Sequence, residues 1–381
     1  MSLTPFFRIM VDPSFEEQTH TECEMRGDYY FASLHFVPLQ TTGAKTFGLP
    51  EYISGLALMV LAWTIADAKY HFRLDVAPFN ARLITYAVVV AVGAATLLTD
   101  VWRAQGWCVI EAAGSPFTPV TWQAILAAVF IGAFICWAAI AFFIPAKFHR
   151  GNAVRYVSAM AKATLRGNSL DLAVIADELA AAAYGLVKHA TNRDFRRVPL
   201  ESQPYEPSEV ERCANSILSM IGDRRLCRAM VASSPRTALF LFQEIKEQKR
   251  FDIEVGTFAS NFVGAAIANK DSFIYHETTP WYWSGFLGMT QPVVKAMFAD
   301  YELVSGVDKL FYVDHQEMGK WDTEHWSVYF KAMQITVADF IAKGNYRERT
   351  TINRAIGKLG DVTRYAYRIN GIDSQEALSD T

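Results

Sequence analysis

Imidazoles and carboxylates that could bind zinc or activate water gather in one stretch of this 381-residue chain: Asp314, His315, Glu317, Asp322, Glu324 and His325, with His276 and Glu277 upstream. Asp314, His315, Glu324 and His325 form the candidate metal set, and a membrane-tethered metal-dependent hydrolase with its site near Asp314–His325 is one reading of the chain. The spacing matches no zinc motif, because Gln316 follows His315 where HExxH requires a glutamate. A solvated, acid-rich connection between two helices explains the same residues. No catalytic residue is assigned from them, and no cofactor is expected. P-loop, GxGxxG and GxSxG sequences are absent, so neither a phosphate cradle nor a serine elbow is legible.

A second candidate lies between Glu277 and Lys295, an interval without acids or bases that contains Trp281, Tyr282, Trp283 and Phe286. These rings could form an interfacial loop or a stacking platform for a ligand. Burial in the core of a helical domain accounts for them as well.

Three apolar stretches, uncharged but for Glu51, dominate the first 150 residues: 47–66, 83–99 and 124–146. Each is long enough for an α-helix to cross about 30 Å of hydrocarbon. The expected fold class is therefore mostly α: an N-terminal three-span helix bundle followed by an α-rich cytoplasmic domain. The chain divides into an extracytoplasmic tail (1–46), the spans (47–146), juxtamembrane helices (147–192), a proline-bearing linker (193–207), a helical domain (208–369) and a disordered tail (370–381).

Flanking charge orients the spans. Lys69, Arg73 and Arg82 lie between the first two, Arg103 alone lies between the second and third, and a basic cluster follows the third. The positive-inside rule places the first loop and the C-terminal domain in the cytoplasm of a bacterial inner membrane, with the N-terminus outside. Lys147, Arg150, Arg155 and Lys162 are then candidates for anionic lipid headgroups. Cys23 and Cys108 would share the oxidising side and could pair as a disulfide. The formal net charge of -3 argues against nucleic acid as a partner.

Small residues recur at every fourth position: Ala87, Ala91 and Ala95 in the second span, then Ala124, Ala128 and Gly132 in the third. Such rows form flat strips along which a helix can approach closely, and they predict a packed and oligomeric bundle. The spans hold few ionisable groups, which argues against a transporter. An oligomeric channel lined by Thr64, Thr85, Thr96 or Thr99 is a further alternative.

Downstream, capping signals predict helices from Asn152 to Gly167, from about Asp171 to Ala190, from the Ser208/Glu211 capping box, from Asp223 to Ala232, from Ser234 to about Lys249, from Thr323 or Ser327 to Lys343, and from Arg349 to Arg368. Leu310–Val313 and Phe251–Val255 are the strand candidates. The leading functional expectation is a non-enzymatic regulator, scaffold or sensor/effector whose cytoplasmic domain meets a protein or small-molecule partner.

Overall fold

In a computed structural model of the chain, the described residues are 29–31, 34–37, 45–65, 67–106, 109–112, 115–116, 118–191, 206–278, 291–307, 309–343, 353 and 356–357. They are mostly helical and divide into two compact units, Met1–Ala66 with Asn80–Phe143, and Asp67–Phe79 with Ile144–Thr381. Trp281, Tyr282, Trp283, Phe286, Cys23 and Cys108 lie outside the described residues, as does nearly all of the helix expected over 349–368.

In chain order the elements begin with strands β1 (Tyr29–Phe31) and β2 (Leu34–Val37), then helices α1 (Leu49–Ile65), α2 (Ala68–Val76) and α3 (Ala81–Gln105). Strands β3 (Val109–Ala112) and β4 (Ser115–Pro116) precede α4 (Pro119–Ala138), which runs on as a π-helical turn over Ala139–Phe143. α3 starts where the Asn80 side chain accepts from the Leu83 amide and stops at Gly106, whose φ of 66° is the left-handed C-terminal cap that glycine adopts without strain. α4 starts at Thr118 with Pro119 as its first residue, a position where the missing N–H costs nothing. Ala81–Gln105 and Pro119–Phe143 are each 25 residues long and apolar enough to cross a membrane. At 1.5 Å per residue each reaches about 37 Å. α1, with 17 residues, is at the lower limit of a span.

The first unit packs Tyr52 and Met59 of α1 against Val89 and Val92 of α3 and Leu126 and Phe130 of α4. The Tyr52 hydroxyl donates to the Val89 carbonyl at 3.0 Å, and its ring meets Phe130 edge-on at 5.6 Å. One end of this bundle is fastened by Asp100. Its carboxylate accepts from the Leu49 amide (3.1 Å), Lys45 Nζ (3.2 Å) and Gln123 Nε2 (3.2 Å), so one side chain of α3 holds both α1 and α4. Gln123, itself fully buried, accepts from the Thr46 amide.

Two sequence expectations are revised here. The small-residue rows do not make the contacts within this unit: Ala87, Ala91, Ala124, Ala128 and Gly132 are exposed, Ala95 alone is partly buried, and a Cβ on Gly132 would meet nothing within 4 Å. The inward face of α3 is instead Thr85, Val89, Val92, Thr96 and Thr99. Side chains of ordinary size fill the gap between these helices, which leaves the small ones outward. The strands are also not those expected. Leu310–Val313 and Phe251–Val255 form turns and bends, whereas β1, β2, β3 and β4 make an antiparallel sheet in that order, with Phe36 opposite Ile110.

The second unit gathers α2 with α5 (Ala153–Arg166), α6 (Ser169–His189), α7 (Glu209–Ile221), α8 (Arg224–Ser233), α9 (Arg236–Glu247), α10 (Gly256–Ala268), α11 (Phe273–Glu277), α12 (Pro292–Phe298), α13 (Tyr301–Val307), α14 (His315–Met318) and α15 (Thr323–Lys343). Three caps form where the sequence signals them: Asn168 with Asp171 and Ser208 with Glu211 form capping boxes, and Asp223 accepts from two amides of α8, whereas the Asn152 side chain makes no cap bond to α5 and α9 begins at Arg236 without a side-chain cap. One core runs through the unit, from Phe72 and Val76 of α2 to Tyr329 of α15. α6 lies at its centre and buries Leu172, Ile175, Leu179, Ala182, Ala183 and Leu186.

Gly185 on α6 lets the chain pass so closely that an added Cβ would stand 2.1 Å from the Phe148 carbonyl oxygen. Backbone cannot give way as a side-chain tip can. Gly185→Ala is expected to destabilise the second unit by about 1–3 kcal/mol, read as a lower urea midpoint by circular dichroism. An unchanged midpoint would refute this close approach.

Candidate functional site: an ionic joint on α2

α2 carries the sequence AKYHFRLDV, in which Phe72 and Val76 are one turn apart and buried, while Lys69 and Arg73 are likewise one turn apart. The apolar pair enters the core and the cations reach α6. Arg73 forks onto Glu178 with both bonds at 2.8 Å, from Nε to Oε2 and from Nη2 to Oε1, and Lys69 Nζ lies 3.2 Å from the same carboxylate. The Ala146 amide also donates to Glu178, at 3.4 Å. Asp177, next in sequence, accepts from Lys69 (3.0 Å), Arg236 (2.5 Å) and the Ser234 hydroxyl (3.3 Å). From the opposite side Arg155 of α5 donates to the Ala77 carbonyl just past the end of α2.

Burial makes this cluster strong and sensitive to loss. Glu178 is 3% exposed and Arg73 11% exposed, so water can replace little of what each charge gains from the other. Paired and fully hydrogen-bonded, such ions are tolerated; with one removed, the other is stranded. The electrostatics agree with the geometry. The bond to Asp177 raises Lys69, and the bond to Glu178 raises Arg73. For Asp177 burial pushes upward, but Lys69 and Arg236 outweigh it and hold the carboxyl below its ordinary range. Tyr156 of α5 sits against the same cluster, wholly buried, its ring edge-on to Phe72 at 5.6 Å and to Phe148 at 5.8 Å. Among the described residues its hydroxyl has no hydrogen-bond partner, and burial first, then Glu178, pushes its pKa upward.

Three of the four residues read from the sequence as a metal set are otherwise engaged. Asp314 pairs with Arg224 at 3.2 Å, Glu324 with Lys270 at 2.8 Å, and His325 with Asp322, the imidazole also stacking on Trp321. His315 opens the short helix α14. Among the described residues no group of three or more His, Cys, Asp and Glu could hold a metal ion. Glu277 is separately buried and accepts from the Val293 and Val294 amides, with burial raising its pKa.

Of the headgroup candidates, Lys147, Arg150 and Lys162 are exposed, whereas Arg155 is partly buried and spent on Ala77. On α5, Ala153, Tyr156 and Met160 are buried, while Val154 and Leu165 are exposed. Sequence reading counted Lys69 and Arg73 only as loop charge and passed over Asp177, Glu178 and Tyr156. One signal was available, namely an acid pair inside the apolar run of Ile175, Ala176, Leu179 and Ala182. Against protein families, curated proteins and solved structures, the chain has no match.

Removing the Glu178 carboxylate strands Arg73. Glu178→Ala is expected to cost about 3–5 kcal/mol, with the Arg73→Met/Glu178→Leu pair costing less than the sum of its two single changes. A pair as costly as that sum, measured by chemical denaturation of the full chain, would deny the coupling. The lowered Asp177 contributes stability that is present above the ordinary carboxylate range and is lost as pH falls through it toward the folded value. Asp177→Asn is therefore expected to flatten the loss of stability between about pH 5 and pH 3; an unaltered slope would argue against the pairing.

Proposed function

We propose that the protein is a non-enzymatic, multi-pass protein of the bacterial inner membrane, with its N-terminus outside and its helical domain in the cytoplasm. In this reading it acts as an oligomeric regulator, scaffold or sensor/effector. The observation that carries it is the place of α2. This helix joins α1 to α3 in the chain, yet its side chains belong to the core and ion pairs of the second unit. Through Glu178 that unit grips both the segment between two apolar helices and, at the Ala146 amide, the segment leaving the third. In this reading a displacement of α2 would act on α6 through Glu178 and Asp177, as a regulator or sensor needs. A partner of the cytoplasmic domain, protein or small molecule, would act through that link.

Two pairings of chain segments favour the proposed topology. The residues before α1 and those between α3 and α4 share one sheet, and the residues between α1 and α3 share a core with those after α4. Three crossings, with α1 as the first, sort the segments in the same way. The outward rows Ala87, Ala91, Ala124, Ala128 and Gly132 are then available to a second copy. The channel reading is less favoured, since the hydroxyls of Thr96 and Thr99 donate to carbonyls of their own helix. The hydrolase reading is disfavoured by the ion pairs that engage Asp314, Glu324 and His325.

Orientation is tested with membrane vesicles. Trypsin should digest the second unit in inverted vesicles and spare it in right-side-out ones; digestion from outside would reverse the topology. Gly132→Leu should leave the helical content unchanged but lower the detergent-solubilised mass to that of one chain, measured by light scattering. If the wild-type mass is already that of one chain, the oligomer is refuted. Purified protein should carry no stoichiometric zinc or iron, and metal lost on His325→Ala would overturn the non-enzymatic reading.

A further inference from the structure

We infer that the turn between α5 and α6 is a membrane-surface wedge, in which Leu165 and Leu170 enter the interfacial region of an anionic bilayer while Lys162 and Arg225 meet its headgroups. The inference rests on the proposal that α1 and α3 are spans. Leu165 is 80% exposed and Leu170 75% exposed, the two most exposed large apolar side chains among the described residues of the second unit. They flank the bend at Gly167 and Asn168, and the Arg225 guanidinium donates to the Gly167 carbonyl at 2.8 Å, which fixes a cation between them. Lys162, exposed, stands one turn before Leu165. The acid at this turn, Asp171, is occupied in the capping box, accepting from the Asn168 amide.

Chain connectivity favours a lipid surface over a soluble partner. Both ends of α2 continue within a few residues into the apolar helices α1 and α3, so a bilayer that holds those helices has α2 at its surface. α6 is ion-paired to α2 at Asp177 and Glu178. From Glu178 back to Leu170 is about 12 Å of helix. Apolar side chains beside two cations near such a surface combine the two contributions that hold peripheral helices on anionic membranes: burial of hydrocarbon and attraction of headgroups.

The test uses the full chain reconstituted in phosphatidylcholine vesicles with and without phosphatidylglycerol. Leu165 or Leu170 is replaced by a benzophenone amino acid, and photo-adducts are read by mass spectrometry. Ile131, exposed on α4, serves as the positive control, and Tyr312, exposed on the second unit, as the negative one. Lipid adducts at 165 and 170, several-fold more abundant with phosphatidylglycerol, reduced by Arg225→Gln and absent at 312, are the expected result. Adducts at 131 without adducts at 165 and 170 would overturn the wedge alone. Absence at 131 as well would remove the membrane reading and the wedge with it. Cross-linking of 165 or 170 to protein, or equal yields in both lipids, would also overturn it.

Discussion

The fork between Arg73 and Glu178 is the interaction on which the second unit's architecture turns. A carboxylate 3% exposed is costly to bury, and α6 offers it no cation of its own. The cations come from α2, a nine-residue helix too short to persist by itself. Each element supplies what the other lacks. α2 gains a fixed place, with Phe72 and Val76 in the core, and Glu178 gains a guanidinium, an ammonium and the Ala146 amide. Because α6 also carries the central apolar face of the unit, whatever displaces α2 acts on the core directly.

The first unit solves a similar problem at one end of its bundle. Asp100 satisfies the Leu49 amide, which begins α1 and has no partner within that helix, together with Gln123 of α4 and Lys45. The buried hydroxyls of Thr96 and Thr99 in α3 bond to carbonyls of their own helix. Apolar side chains such as Leu83, Leu97, Ile131 and Ile135 are left facing outward, where a lipid environment costs them nothing. The exposed alanine and glycine rows form part of the same outer surface.

Helices, caps and the apolar helices α3 and α4 were legible in the sequence because their causes are local. Asn168, Ser208 and Asp223 cap through residues three positions away or fewer, and an uncharged stretch announces itself. The sheet was not legible, since β2 finds its partner β3 more than seventy positions on, and neither strand alternates strongly enough to mark itself. Which faces of α3 and α4 pack inside the first unit was not legible for a related reason. Spacing identifies which residues share a helix face, but which face turns inward depends on the neighbouring helix. The acid cluster around His325 shows the converse: suggestive residue types lie close in sequence, yet Arg224 and Lys270 come from elsewhere in the chain and consume the carboxylates.

Composition and local order therefore determined that this chain is mostly helical, that its N-terminal part carries helices able to cross a bilayer, and where α5, α6, α7, α8, α9 and α15 begin. Tertiary structure alone decided that the short stretch between the first two apolar helices is a helix of the second unit, held by Glu178 and Asp177 across about a hundred residues of chain. The reason is physical. Propensity and hydropathy are properties of neighbouring residues, whereas a buried ion pair exists only once the fold has brought its two halves together and excluded water from both.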